Sequence, residues 1–226
     1  MAALQSLLLS SVPGIVHGFG TRAEPLPVAF KDHWEKDRPR WKQVHGTTAF
    51  RIAVSGQDAG ETDAFYTSLP GQLVPIVTGD CVPILMARRD GSWAATVHAG
   101  WRGTRARIVE ALWRELSQLG QRPQDWVAAI GPSIGSCCYE VSEELAMDFQ
   151  REFAGEGASL AVPTFRHLDL PQINSAQLRA IGFADVEILP FCTFCAKSGN
   201  DHEFNSYRRE GSGARQWSVI KTRQEI

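Results

Sequence analysis

Eight short apolar runs, each bounded by turn-forming residues, do most to set the fold class of this 226-residue chain. They are Gly14–Phe19, Phe50–Val54, Leu73–Thr78, Val82–Ala87, Trp93–His98, Trp126–Ile130, Val186–Phe191 and Trp217–Lys221. All are rich in β-branched or aromatic residues at a length typical of strands. Three helices are expected among them. From about Thr104 to Leu119, Ile108, Leu112, Leu116 and Leu119 keep the spacing of a buried stripe, with Gly120 as the stop. Ser142–Phe153 has Ser142 as a cap followed by two glutamates, and a third helix around Pro171–Ile181 carries its proline near the start. Strands grouped between helices, without strict alternation, predict an α/β (α+β) layered sandwich with a mixed β-sheet. No linker, repeat or low-complexity tract divides the chain, so residues 1–226 are expected to form one catalytic domain.

The charge balance excludes some partners. Lys+Arg 23 against Asp+Glu 25 gives a formal charge of -2, which provides no bulk pull toward nucleic acid or an anionic membrane. The run Met1–Ser11 lacks a basic leading segment and is broken by Gln5 and Ser6, so it reads as a packed arm or edge element. No stretch approaches the roughly 18 apolar residues of a membrane span, and the expected location is the cytoplasm. An odd count of five cysteines in a chain of this size favours reduced thiols.

Cys81 and His98 lie at the margins of neighbouring strand-like runs joined by the turn Arg89-Asp-Gly91, and a hairpin there brings them together. His45 sits in a glycine-bearing turn before another strand. Two imidazoles and a thiolate are preferred donors for zinc, and three protein ligands leave the open position of a catalytic site. Such an ion lowers the pKa of bound water to about 7. The competing reading is two turn histidines and a buried cysteine packed as a small hydrophobe. Cys192-Thr-Phe-Cys195 forms a C-x-x-C that Cys137-Cys138 could complete to four sulfurs, but its apolar flanks Phe191 and Phe194 favour core-packed or gating cysteines. Glycine–arginine segments at Gly18–Arg22, Trp101–Gly103 and Ser206–Arg209 suit anion recognition. H-E-x-x-H, the zinc-deaminase signature, the phosphate-binding loop and G-x-G-x-x-G are all absent.

Taken in order, several blocks resemble the YfiH-like family, also called the laccase-domain or multicopper polyphenol oxidase family. They are Gly18–Arg22, Gln43-Val-His-Gly46, Thr62-Asp-Ala64, Gly79-Asp-Cys-Val-Pro83, His98-Ala-Gly-Trp-Arg-Gly103 and Gly131-Pro-Ser-Ile-Gly135. Cys138–Val141, Leu168–Pro171 with Asn174, and Ser206–Arg209 complete the set, which runs from about residue 14 to the end. The resemblance implies Zn2+ held by His45, Cys81 and His98, and phosphorolysis of adenosine, inosine, guanosine or methylthioadenosine by a purine nucleoside phosphorylase, with adenosine deaminase activity at the same site. Some bacterial members are linked instead to editing peptidoglycan precursors. The oxidase label fits poorly, because a multicopper centre needs on the order of ten histidines and this chain has six. The block ending in Ser206 usually carries an aromatic residue where this chain has Asn205, a change that bears on the purine pocket.

On this reading Arg22 and Arg208 form a phosphate subsite, Gln43 is a further substrate contact, and Asp80 orients a ligand or shuttles protons, or else caps its turn. The substrate is a small molecule, purine nucleoside plus phosphate, with no nucleic-acid or membrane partner; the oligomeric state is open between monomer and weak dimer. Two rivals use the same residues. In one, Cys81 is the nucleophile of a cysteine hydrolase or amidase with His98 as base. In the other, zinc is structural and closed by a fourth ligand such as His17 or another cysteine.

Overall fold

The structure, a computed structural model, describes residues 3–223. Nine strands build its two main sheets: β1 (Ile15–Phe19), β2 (Ala49–Arg51), β3 (Ala64–Thr67), β4 (Val74–Thr78), β5 (Val82–Arg88), β6 (Ala94–Ala99), β7 (Trp126–Ile130), β8 (Asp185–Ile188) and β9 (Gln216–Thr222). The larger sheet has the order β8-β7-β5-β6-β3-β2 and the smaller the order β1-β9-β4. Within the larger sheet the outer pairs β8/β7 and β3/β2 are parallel, whereas β7/β5, β5/β6 and β6/β3 are antiparallel. The sheet is mixed, as the grouping of runs implies.

Alternation along β5 shows why the layers stack. Val82, Ile84 and Met86 join the cluster shared with Ile108, Leu112 and Leu116 of the helices, while Leu85 and Ala87 join the cluster shared with Ile76 and Ile220 of the smaller sheet. A strand buried on both faces must be apolar at every position, which explains the unbroken run Val82–Ala87. The architecture is therefore helices, mixed sheet, then a three-stranded antiparallel sheet, whose outer face is covered by Phe30 and Trp34.

Five helices matter for the site: α1 (Trp101–Arg105), α2 (Ile108–Gln118), α3 (Glu143–Glu152), α4 (Leu170–Ile181) and α5 (Tyr207–Glu210). The Ser142 hydroxyl caps α3 by accepting from Leu145 N–H, and α4 starts with its proline and stops at a left-handed Gly182. The continuous helix expected from Thr104 is instead two, broken at Arg107 with φ of 59°. The cause is local. The Thr104 carbonyl accepts from Arg107 N–H at 3.1 Å and from the Gln177 amide of α4 at 3.0 Å, so it is turned away from residue 108. Strand β3 has no counterpart among the expected runs because it is only four residues long and follows the polar pair Thr62-Asp63. Of the N-terminal arm, Leu4 pairs with Phe19 and Leu9 is buried in the inter-sheet core; residues 1 and 2 lie outside the described range. Among the described residues, no helix is long and apolar enough to cross a membrane.

Candidate active site

The β5/β6 hairpin does what its turn implies. Its register pairs Val82 with Ala99 and Pro83 with His98, so Cys81 and Gly100 leave the sheet side by side. His45 approaches from the loop after residue 42, and its Nε2 lies 3.8 Å from Cys81 Sγ. The His45 and His98 rings are 4.8 Å apart between centroids. One ligand atom from each of His45, Cys81 and His98 falls within 4.8 Å of the others. Bonds of roughly 2.0–2.3 Å to nitrogen and sulfur let a single ion bridge such separations. Gly100 makes the approach possible: a Cβ there would stand 2.9 Å from His45 Cδ2 and 3.0 Å from Cys81 Sγ.

Asp63, not assigned a role from sequence, organises both histidines. Its Oδ1 meets His98 Nδ1 at 2.7 Å, which leaves His98 Nε2 for a ligand. The same carboxylate accepts the backbone N–H groups of Val44 at 3.2 Å, His45 at 3.0 Å and Gly46 at 2.8 Å. These bonds hold the His45 loop, in which His45 itself has a φ of 60°. Asp63 and His98 are both buried. Burial alone would raise the Asp63 carboxyl, but the bonds from His98 and the loop amides hold it below the usual range. Burial likewise opposes charge on Cys81 and His98, and is outweighed by their hydrogen bonds. His45 and His98 draw the thiol down to about 6, while Asp63 and Cys81 lift His98 to about 9. Without a metal, the site is a thiolate–imidazolium pair backed by a carboxylate.

Three ligand atoms with no fourth describe this group among the described residues. His17, the candidate closing ligand, is elsewhere: it is buried in β1, where its Nε2 accepts from Ser6 N–H at 2.8 Å. The four remaining cysteines are not core-packed as their flanks suggest. Cys137 and Cys195 are exposed, and all four sulfurs gather within 4.8 Å of one another.

A cleft of about 670 Å³ opens over His45, Cys81 and His98. Three arginine–aromatic pairs line it. Arg102 lies over the Trp101 ring at 4.4 Å, Arg208 over Tyr139 at 5.4 Å and Arg215 over Tyr207 at 5.4 Å. Among the described residues none of these arginines pairs with a carboxylate. The structure brings Arg208 to the cleft and does not bring Arg22, whose guanidinium is paired with Glu210 outside the lining. Arg209 turns inward and donates to the carbonyls of Thr193, Phe194 and Phe204. Gln43 lines the cleft, but both ends of its amide are engaged by the Val77 backbone at 2.8 Å. Asp80 also lines it with its oxygens engaged, accepting from the Thr193 hydroxyl at 2.6 Å, the Ser206 hydroxyl at 3.1 Å and Arg208 N–H at 2.7 Å. Asn205 is not in the lining; its side-chain amide donates to the Arg215 carbonyl. Arg102 belongs to the Trp101–Gly103 segment expected to suit anion recognition, whereas Arg215, Tyr139 and Tyr207 had no assigned role from sequence, although Tyr139 and Tyr207 lie in the blocks Cys138–Val141 and Ser206–Arg209.

Comparison with known proteins gives the family. The family model described as multi-copper polyphenol oxidoreductase laccase matches residues 30–223. "Purine nucleoside phosphorylase" of Deinococcus radiodurans is 36% identical over 185 residues, covering 81% of this chain and 70% of that protein. "Purine nucleoside phosphorylase YfiH" of Shigella flexneri is 30% identical over 185 residues, covering 81% and 73%. The crystal structure of a Bacillus licheniformis hypothetical protein YfiH superposes with a TM-score of 0.78 at 23% identity, covering 92% of this chain and 93% of that one. The chain belongs to the YfiH-like family, the family of the laccase-like model that matches it.

Proposed function

We propose that this chain is a purine nucleoside phosphorylase that uses a zinc ion held by His45, Cys81 and His98. The observation that carries the proposal is one cleft holding an open three-donor set beside arginines free of carboxylate partners among the described residues. A phosphate dianion needs such arginines, and a purine ring needs aromatic faces; the Trp101, Tyr139 and Tyr207 pairs supply both next to the donor set. The names of the relatives point the same way.

The donor set fits zinc. A thiolate with two imidazoles is a preferred combination, one histidine is oriented by a carboxylate, and Gly100 leaves room for the approach. When bound, the ion supplies a fixed positive charge and a Lewis acid at the floor of the cleft. The copper chemistry in the family's description lacks donors: the group contains two histidines and one cysteine among the described residues.

In phosphorolysis the bond from ribose C1′ to purine N9 breaks, its electron pair leaves with the base, and a phosphate oxygen bonds to C1′. Arg102, Arg208 and Arg215 would orient phosphate and balance its charge, and the aromatic rings would hold the purine and exclude water from C1′. Asp63 keeps the His98 proton on Nδ1. Asp80 acts by positioning, since it fixes the Ser206–Arg208 segment that carries an anion-binding arginine. Adenosine, inosine, guanosine and methylthioadenosine are the substrates proposed.

One observation favours a second reading. The Asp63–His98–Cys81 array with a depressed thiol has the form of a nucleophilic cysteine site, as in an amidase. In that array His45 serves only to lower the thiol, whereas zinc uses all three side chains as donors. Replacing Arg102 and Arg208 with alanine tests the main reading. A rise of at least about tenfold in the KM for phosphate, one lost charge-assisted contact being worth 1.5–3 kcal/mol, is expected. An unchanged KM for phosphate in both variants would sink it.

A further inference from the structure

Cys137, Cys138, Cys192 and Cys195 form a second cluster of ligands outside the donor set just described. Two segments bring them together. Residues 133 and 192 pair as a parallel bridge, Ser133 N–H donating to the Phe191 carbonyl and Thr193 N–H to the Ser133 carbonyl. Each segment then turns back: Cys138 N–H and Tyr139 N–H donate to the Gly135 carbonyl, and Ala196 N–H to the Cys192 carbonyl. The result is two tight turns facing each other, each presenting two thiols.

The separations fit one ion. All four sulfurs lie within 4.8 Å of one another, and Cys137 Sγ is 3.7 Å from Cys195 Sγ. A tetrahedron with Zn–S bonds of about 2.3 Å has sulfurs about 3.8 Å apart. None of these cysteines is in a disulfide. The Gly135 N–H donates to Cys192 Sγ at 3.3 Å, a bond that favours a thiolate over a thiol. Among the described residues no carboxylate or imidazole joins the cluster, so its donor set is wholly sulfur.

We infer that Cys137, Cys138, Cys192 and Cys195 bind a second zinc ion in a closed tetrathiolate site that clamps the wall of the cleft. Four protein ligands leave no position for substrate, which makes the site structural. Its two turns lead directly into the cleft. Tyr139 follows Cys138 and carries Arg208 over its ring, and the Glu140 carbonyl accepts from the Arg208 guanidinium at 3.1 Å. Thr193, between the other two cysteines, donates its hydroxyl to Asp80, which in turn receives Ser206 and Arg208. The clamp therefore joins the segments that place Arg208, and this inference stands whether or not His45, Cys81 and His98 hold a metal.

The test separates the two sites. In the full chain carrying His45→Ala and Cys81→Ser, purified under reducing conditions, elemental analysis is expected to find one zinc per chain. Cobalt exchanged into that background is expected to show the intense visible bands of a tetrahedral tetrathiolate. Adding Cys137→Ser and Cys195→Ser, both exposed positions, is expected to remove the zinc and the bands and to lower the melting temperature. Thiol labelling of the unmutated protein gives a readout independent of folding: these four cysteines are expected to react only after chelation. No zinc in the double variant, equimolar iron in its place, or labelling indifferent to chelator would each overturn the inference, as would a Cys137–Cys195 disulfide in the fresh protein.

Discussion

Asp63 carries more of the site than its single carboxylate suggests. It binds His98 Nδ1 and gathers three consecutive amides of the His45 loop, so both imidazoles depend on it. Asn at this position keeps one acceptor oxygen and loses the charge. Asp63→Asn is expected to weaken zinc binding 10–100-fold, the usual range for such supporting partners, in a competition assay with a chromogenic chelator. Unchanged affinity would show that the loop positions His45 without it. Gly100→Ala is expected to abolish stoichiometric zinc at His45, Cys81 and His98 while leaving the protein folded. Its Cβ would meet His45 and Cys81 within 3.0 Å, closer than packed atoms tolerate. The three donors were legible chiefly through the family resemblance of their blocks, with the hairpin turn accounting for the pairing of Cys81 and His98. Asp63 and Gly100 were not: a carboxylate's partners 17 to 19 residues away along the chain, or a glycine's neighbours, appear only once the strands pair.

At the scale of elements, the apolar runs read most clearly where strands are buried on both faces. Runs at Val82–Ala87 and Trp126–Ile130 correspond closely to β5 and β7. Legibility failed where tertiary contacts overrode the pattern, at the break at Arg107 and in the four-residue β3. It failed also at the cysteines, because apolar neighbours at Phe191 and Phe194 say nothing about which way a turn presents its sulfurs. Leu85 is fully buried between the sheets, and Leu85→Ala is expected to cost about 2–5 kcal/mol in denaturant unfolding. Strand β1 adds a pH dependence. Burial holds His17 at about 4, partly offset by Glu187, against an ordinary value of 6.5. Because the folded value is depressed, the native state binds fewer protons between these limits. Its stabilisation is complete above pH 6.5 and is lost as pH falls toward 4, by up to about 3 kcal/mol. Unfolding midpoints followed from pH 7 to pH 4 are expected to fall more gently in His17→Gln than in the parent chain; equal slopes would contradict the assignment.

Across the whole molecule, the helix layer, mixed sheet and smaller sheet converge on one cleft. The hairpin supplies Cys81 and His98, the loop before β2 supplies His45, and α1 and α5 carry arginines to the opposite wall. His45, Cys81 and His98 share this cleft with the aromatic–arginine pairs, and the four clustered cysteines lie in the segments that carry Tyr139 and Thr193. Such an arrangement suits a reaction in which an anion attacks a sugar carbon while a flat base departs. The most direct test of that claim is release of hypoxanthine from inosine by the purified full chain, measured with and without inorganic phosphate. Release that requires phosphate and yields ribose 1-phosphate is the expected result. No release, or release at the same rate without phosphate, would contradict phosphorolysis and turn attention to the Cys81–His98 pair.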